Sequence, residues 1–235
     1  MIDFQRIDVT PDTFCHVADV PSDDVLIEQL RTKLPPEEQA TSLRYRHEST
    51  RRMFVTARTL LREELSKSGI PYDTPMAFGE YGKPYLRYYL DFHFSIAHSY
   101  GRVVVAFSNA PVGVDIERLV CKPKSTLIAI AQKVFRSDEI AMLQILEEPA
   151  CRQRFTELWT IKEALVKTTG AGLGRPVVQQ LQSYSYSMDN WMIAVGEPNS
   201  QFSTLNRCNI SSSANIAILV NANHFLPKSF NDAPI

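Results

Sequence analysis

Two periodicities alternate along the chain. Strict alternation appears in Val112-Gly113-Val114-Asp115-Ile116-Glu117, which puts Val112, Val114 and Ile116 on one side of a strand and Asp115 and Glu117 on the other. The run Val103-Val104-Val105-Ala106-Phe107 is short, continuous and β-branched, as in a buried strand. An opening strand near the N-terminus and two later strands, Trp191–Val195 and Ile216–Val220, complete the β reading. Phe92-His93-Phe94-Ser95 and Ala97-His98-Ser99 read as a strand-turn region, and Tyr81-Gly82-Lys83-Pro84 as a turn. Helical spacing takes over elsewhere. One helix starts near Ser22-Asp23-Asp24 and closes at Pro35-Pro36. A charged helical stretch runs from about Glu37 to Ser68, bent near Arg46–Ser49, with Phe54, Ala57, Leu61 and Leu65 as its buried face and Gly69 as its stop. Further helices cover roughly Thr126–Val134, Ser137–Glu147 with Ser137 as N-cap, and Arg152–Thr169, the last ended by Gly170, Gly172 and Gly174. The tail after His224 reads as frayed or laid on the surface.

Each half thus holds a long helix beside a few strands. The fold class expected is α+β, with a seam near Pro111 dividing an N-terminal half, residues 1–110, from a C-terminal half, residues 111–235.

Charge changes the picture by exclusion. Lys and Arg number 25 against 26 Asp and Glu, a formal net charge of −1 over 235 residues. A general nucleic-acid or membrane-surface binder needs a basic field that this chain lacks. Any anion must therefore be met by a local basic cluster, and Arg51, Arg58 and Arg62 fall in one stripe of their helix. Cys15, Cys121, Cys151 and Cys208 are scattered without metal spacing, as expected of reduced thiols. The first residues lack the cationic start and apolar run of a secretion signal, and no apolar stretch is long enough to span a bilayer. A cytoplasmic protein is expected.

The chemistry gathers on two segments. Asp115 and Glu117 share one strand face, where adjacent like charges are costly unless solvated or joined by a cation. Mg²⁺ suits them, since it takes one or two carboxylates and completes its shell with water and phosphate oxygens. Trp159, Glu163 and Lys167 stand at i, i+4 and i+8 on neighbouring turns of one helix. A third carboxylate with a lysine one turn on fits a magnesium pyrophosphate site. The glycines at 170, 172 and 174 follow a helix, so neither a dinucleotide loop nor a P-loop is indicated. His98-Ser99 lacks a G-x-S-x-G elbow, and His93 and His98 make a poor metal pair.

Taken together, Tyr81-Gly82-Lys83-Pro84, Phe94-Ser95-Ile96-Ala97-His98-Ser99, Val112–Glu117 and Trp159-x-x-Lys162-Glu163-Ala164-x-x-Lys167-x-x-Gly170 resemble the surfactin-type 4′-phosphopantetheinyl transferases. The motifs span about Arg44 to Gly174. The resemblance implies a pseudo-twofold fold of two similar halves, each with a small sheet and a long helix. Coenzyme A, as substrate, and Mg²⁺ would bind in the cleft between them. It implies transfer of the phosphopantetheine arm to a serine of an apo acyl or peptidyl carrier protein, releasing adenosine 3′,5′-bisphosphate. Carried over residue by residue, Asp115, Glu117 and Glu163 would hold the metal, with Glu163 alternatively the base for the serine. Lys167 would contact the phosphates. Arg58, Lys83 and His98 would bind the 3′-phosphate and nucleotide side, with Tyr81 and Gly82 beside the adenine. Arg51, Arg46 and Ser99 join the same coenzyme A set, and Glu163, Lys167 and His98 form the catalytic set. The family often has Asn-x-Ser-His-Ser where this chain has Ser95-Ile96-Ala97-His98-Ser99. The partners expected are coenzyme A and apo carriers, with no nucleic acid and no membrane, and the protein a monomer. Two alternatives stay open: another magnesium-dependent nucleotide or pyrophosphate transferase, and an inactive relative that only binds carriers.

Overall fold

The structure is a computed structural model that describes residues 2–170 and 181–199. Gly172, Gly174, the strand expected at Ile216–Val220, Cys208 and the tail lie outside the described residues. The fold is α+β, with small antiparallel sheets accompanied by helices. The chain divides into two compact units. Of the described residues, the first holds those up to Gly79 together with Pro84–Ala110, and the second Glu80–Lys83 with those from Pro111 on.

In the first unit, β1 (Gln5–Thr10), β2 (Thr13–Asp19), β6 (Arg102–Ser108) and β5 (His93–Ser99) form an antiparallel sheet in the order β1-β2-β6-β5. The strand-turn reading gives way to one continuous strand over residues 93–99, and β2 emerges where the sequence pattern predicted no strand. β3 (Met76–Phe78) and β4 (Pro84–Leu86) make a short separate hairpin. The helices are α1 (Asp24–Lys33), α2 (Pro36–Ser42) and α3 (Glu48–Lys67). Asp23 caps α1 through bonds to the amides of Val25 and Leu26. The break between α2 and α3 covers residues 43–47 and so starts three residues before the bend expected near Arg46–Ser49, with Glu48 and Ser49 already in α3. Leu61 and Leu65 of α3 join Phe94, Val103, Val105 and Phe107 in one apolar core, which holds the helix to the sheet.

The second unit starts with β7 (Gly113–Arg118) and continues through α4 (Lys124–Val134), α5 (Ser137–Ile145), α6 (Glu148–Thr169), β8 (Leu181–Met188) and β9 (Trp191–Pro198). Its sheet runs β7-β9-β8, antiparallel throughout, and α6 packs on all three strands. α6 begins four residues before the expected Arg152, because Pro149 occupies the first turn, where a missing N–H costs no bond. Arg136, not Ser137, is the N-cap of α5, and its backbone N–H donates to the Glu139 carboxylate at 2.7 Å. Gly170 ends α6 in the left-handed conformation, φ 64°. Gly113 and Gly196 lie against this helix so closely that a Cβ on Gly113 would stand 2.1 Å from the Ala164 carbonyl oxygen. The absence of two side chains thus lets α6 approach β7 and β9 at backbone distance.

Candidate active site

β7 places its side chains as the alternation demands. Val112, Val114 and Ile116 are fully buried, while Asp115 and Glu117 project from the opposite side, Asp115 itself buried and Glu117 half-buried. Across from them α6 presents Trp159, Glu163 and Lys167 on successive turns. Trp159 goes inward, against Phe155 in the core that α6 shares with α4, so the indole serves packing. The next turns serve chemistry. Lys167 Nζ donates to Asp115 Oδ1 at 2.6 Å.

The electrostatics of this cluster are those of carboxylates drawn out of water. Burial pushes the Asp115 carboxyl up from its ordinary value, against the pull of Lys167. Burial and then the neighbouring Asp115 charge raise Glu163 to about 7, with Lys167 again opposing. Burial works against the Lys167 ammonium, but Asp115, Glu163 and Glu117 together raise its pKa. Lys167 is the cation on which the three acidic side chains converge. Among the described residues one such charge leaves the group acidic, and Asp115 Oδ2 is buried with no hydrogen-bond partner. Among the described residues no three His, Cys, Asp or Glu side chains gather closely enough to hold a metal ion by themselves. A hard cation taking one or two of these carboxylates, with water and phosphate oxygens for the rest, fits this donor set.

Of the other expected site residues, Lys83 belongs to the same unit, and its ammonium donates to the carbonyl oxygens of Val112 and Thr168, each at 2.9 Å. Burial lowers its pKa to about 8. Gly82 carries the φ of +80° that its turn requires, and the exposed Tyr81 hydroxyl donates to Glu80. Arg51, Arg58, His98 and Ser99 belong to the first unit. His98 is exposed on the edge strand β5, with Ser99 half-buried beside it. Arg51 and Arg58 share a helix stripe but not a cavity. Arg51 lines an open hollow with Asp24 and Glu28, and Arg46 is exposed. Arg58 lines a cavity of about 300 Å³ with Phe54, Met76 and Phe78 and stands 3.5 Å from Glu38 Oε1. Burial lowers the Arg58 pKa, with Glu38 opposing. Arg62, the third member of the stripe, is wholly structural, bonded through both ends of its fork to Glu38 and to the Tyr72 and Thr74 carbonyls.

Sequence reasoning missed Glu38 and Glu139, the buried partners of Arg62 and Lys162, because neither stands near its partner in the chain. It also missed the close packing at Gly113, although a glycine inside an alternating strand is a signal for it. Lys124 is engaged as well, its ammonium on the Gln144 and Leu146 carbonyls at the end of α5. No helix among the described residues is long and apolar enough to cross a membrane.

The chain is similar to known proteins. The profile of the 4′-phosphopantetheinyl transferase superfamily matches residues 111–220. A 4′-phosphopantetheinyl transferase of Bacillus pumilus is 38% identical over 156 residues, 63% of this chain and 62% of that protein. One from Bacillus subtilis (strain 168) is 31% identical over 156 residues, 64% of this chain and 66% of that protein. The match therefore spans just under two thirds of both Bacillus relatives. A putative 4′-phosphopantetheinyl transferase of Synechocystis is 31% identical over 181 residues, 72% of each chain. With the acidic strand and the lysine-bearing helix both inside the matched region, the chain belongs to the 4′-phosphopantetheinyl transferase superfamily.

Proposed function

We propose that the protein transfers the 4′-phosphopantetheine arm of coenzyme A to a serine of an apo acyl or peptidyl carrier protein. The observation that carries the reading is the Asp115–Lys167 pair, with the orphaned Asp115 oxygen and Glu163 beside it. In the reaction the serine oxygen forms a bond to the phosphorus bearing the pantetheine arm. The bridging P–O bond breaks, and its electron pair leaves with adenosine 3′,5′-bisphosphate. Glu163, poised near neutrality, accepts the serine proton. Lys167 offers its remaining donors to the pyrophosphate oxygens as negative charge grows there. Mg²⁺, held by Asp115 and Glu117 with Glu163 at its margin, would supply Lewis-acid neutralisation of the bridging oxygen. The second half of the chain, from residue 111, carries this chemistry. The first, to residue 110, supplies Arg51, Arg58, His98 and Ser99 to the nucleotide side, joined by Tyr81 and Gly82. We place the protein in the cytoplasm, a reading that the free thiols of Cys15 and Cys151 support, and take it to act as a monomer.

Incubation with coenzyme A, Mg²⁺ and a panel of apo carriers tests the reading directly. Mass spectrometry should show carriers gaining one phosphopantetheine arm, and the gain should vanish with chelator. No gain on any carrier would overturn it.

A further inference from the structure

Lys83 lies in a turn whose basic residue invites assignment to a phosphate, yet its ammonium is already spoken for. Nζ donates to the Val112 carbonyl, immediately before β7, and to the Thr168 carbonyl, in the last turn of α6, at 2.9 Å each. The Thr168 carbonyl is one of the four at a helix C-terminus that no helical N–H reaches, and a cation there also answers the helix dipole. The lysine stem runs over the helix end, where a Cβ on Gly170 would meet Lys83 Cδ at 3.2 Å. On the other side of this junction a Cβ on Gly113 would stand 2.3 Å from the Thr168 amide nitrogen. Strand start and helix end are thus in backbone contact, with one lysine bridging their carbonyls.

The elements so joined are the two that carry the reacting groups. Asp115 follows Val112 by three residues on β7, and Lys167 immediately precedes Thr168 on α6. We infer that Lys83 is a positioning residue that clamps the start of β7 to the end of α6, holding Asp115 against Lys167 and Glu163 without itself binding the coenzyme A 3′-phosphate. The inference rests on the transferase reading of the site. Both strand and helix are stiff, so a shift where they meet is carried to side chains one to five residues away. Methylene packing on Gly170 and two carbonyl bonds fix the ammonium in a partly dry setting, which the fall of its pKa to about 8 reflects.

The test compares wild type with Lys83→Met, which keeps the stem and removes the donors. Carrier transfer is measured with coenzyme A and with 3′-dephospho-coenzyme A. The clamp predicts a loss in kcat of roughly ten- to a hundredfold, equal for the two substrates. Hydrogen exchange should also quicken at residues 112–115 and 164–169. A loss confined to KM for coenzyme A, and absent with the dephospho form, would put Lys83 on the 3′-phosphate and overturn the inference. Where Lys83→Met does not fold, amine acylation of the wild-type protein decides. Lys83 should label far more slowly than the exposed Lys33, with or without coenzyme A. Equal labelling of the two until coenzyme A is added would refute the clamp. Exchange and acylation read the clamp even in a protein that modifies no carrier, so failure of the transferase reading remains distinguishable from failure of this one.

Discussion

Lys162 Nζ lies 3.0 Å from Glu139 Oε2, with the lysine side chain 11% exposed and the glutamate 9%. Five residues on, Lys167 turns to Asp115 instead, so the two lysines of one helical motif divide between structure and chemistry. Glu139 also accepts the Arg136 amide, and the Phe135 ring lies 5.4 Å from the Lys162 ammonium, which fastens the start of α5 to α6. Removing one partner of a buried pair leaves the other charge uncompensated, at a cost of about 3 kcal/mol. Glu139→Gln should show that loss in urea unfolding. The double variant with Lys162→Met should recover most of it. A double variant as unstable as the single would mean that the pair is not what the substitution disturbs.

Asp115→Asn keeps the shape of the buried side chain and removes its charge. Lys167 still faces Glu163 and Glu117, so calorimetry should show a change of only about 1 kcal/mol. Transfer to a carrier should nonetheless fall at least about a hundredfold, as for loss of a preorganised charge at a reacting centre. Near-parental rates in saturating Mg²⁺ would remove Asp115 from the proposed site.

Where the pattern was local, the sequence disclosed it. The alternation through Val114, Asp115, Ile116 and Glu117 specified β7 and its carboxylate face, and helical spacing put Glu163 and Lys167 on one side of α6. β8 stayed hidden because Ser183 and Ser185, small and polar, take inward positions where a strand signal expects Val or Ile; Ser185 bonds to Glu157 of α6. β2 was obscured in the same way by Thr13 and His16, both buried. The arginine stripe on α3 promised an open basic face, yet Arg62 and Arg58 turn to Glu38, a partner more than 19 positions away in the chain. Contacts of that separation leave no local trace, and the Lys83 bonds to Val112 and Thr168 belong with them.

Gly113 offers a steric test of how α6 is seated. A Cβ there would meet two backbone atoms, the Ala164 oxygen and the Thr168 nitrogen, neither of which can rotate aside. Gly113→Ala should therefore push the helix off the sheet and cost about 3 kcal/mol, the upper end of ordinary overpacking. Transfer should fall with it, because Lys167 and Glu163 travel on α6. Gly82→Ala is the contrast: among the described residues no atom of the surroundings lies within 4 Å of its Cβ, and the positive φ opposes it at about 1 kcal/mol. If both alanines cost the same in thermal unfolding, the close approach at Gly113 is not what fixes α6.

His16 should make the first unit acid-sensitive. Its ring stacks on Phe4 at 4.1 Å and meets Phe14 and Phe107, with Glu64 Oε2 at 3.9 Å from Nε2. Burial, reinforced by Lys67 and Arg6 and opposed by Asp8, lowers its pKa from 6.5 to about 4. The folded pKa lies below the unfolded one, so the stabilising contribution is complete above pH 6.5 and drains away as pH falls towards 4. Over that window the unfolded chain takes up a proton that the folded one refuses. By pH 5 the loss amounts to about 2 kcal/mol. His16→Gln cannot take up that proton, so whatever its stability at pH 8, it should lose less on acidification than the parent does. Urea unfolding of both proteins from pH 8 to pH 4.5 measures the difference. Parallel stability curves across that range would show that His16 is not the group that titrates.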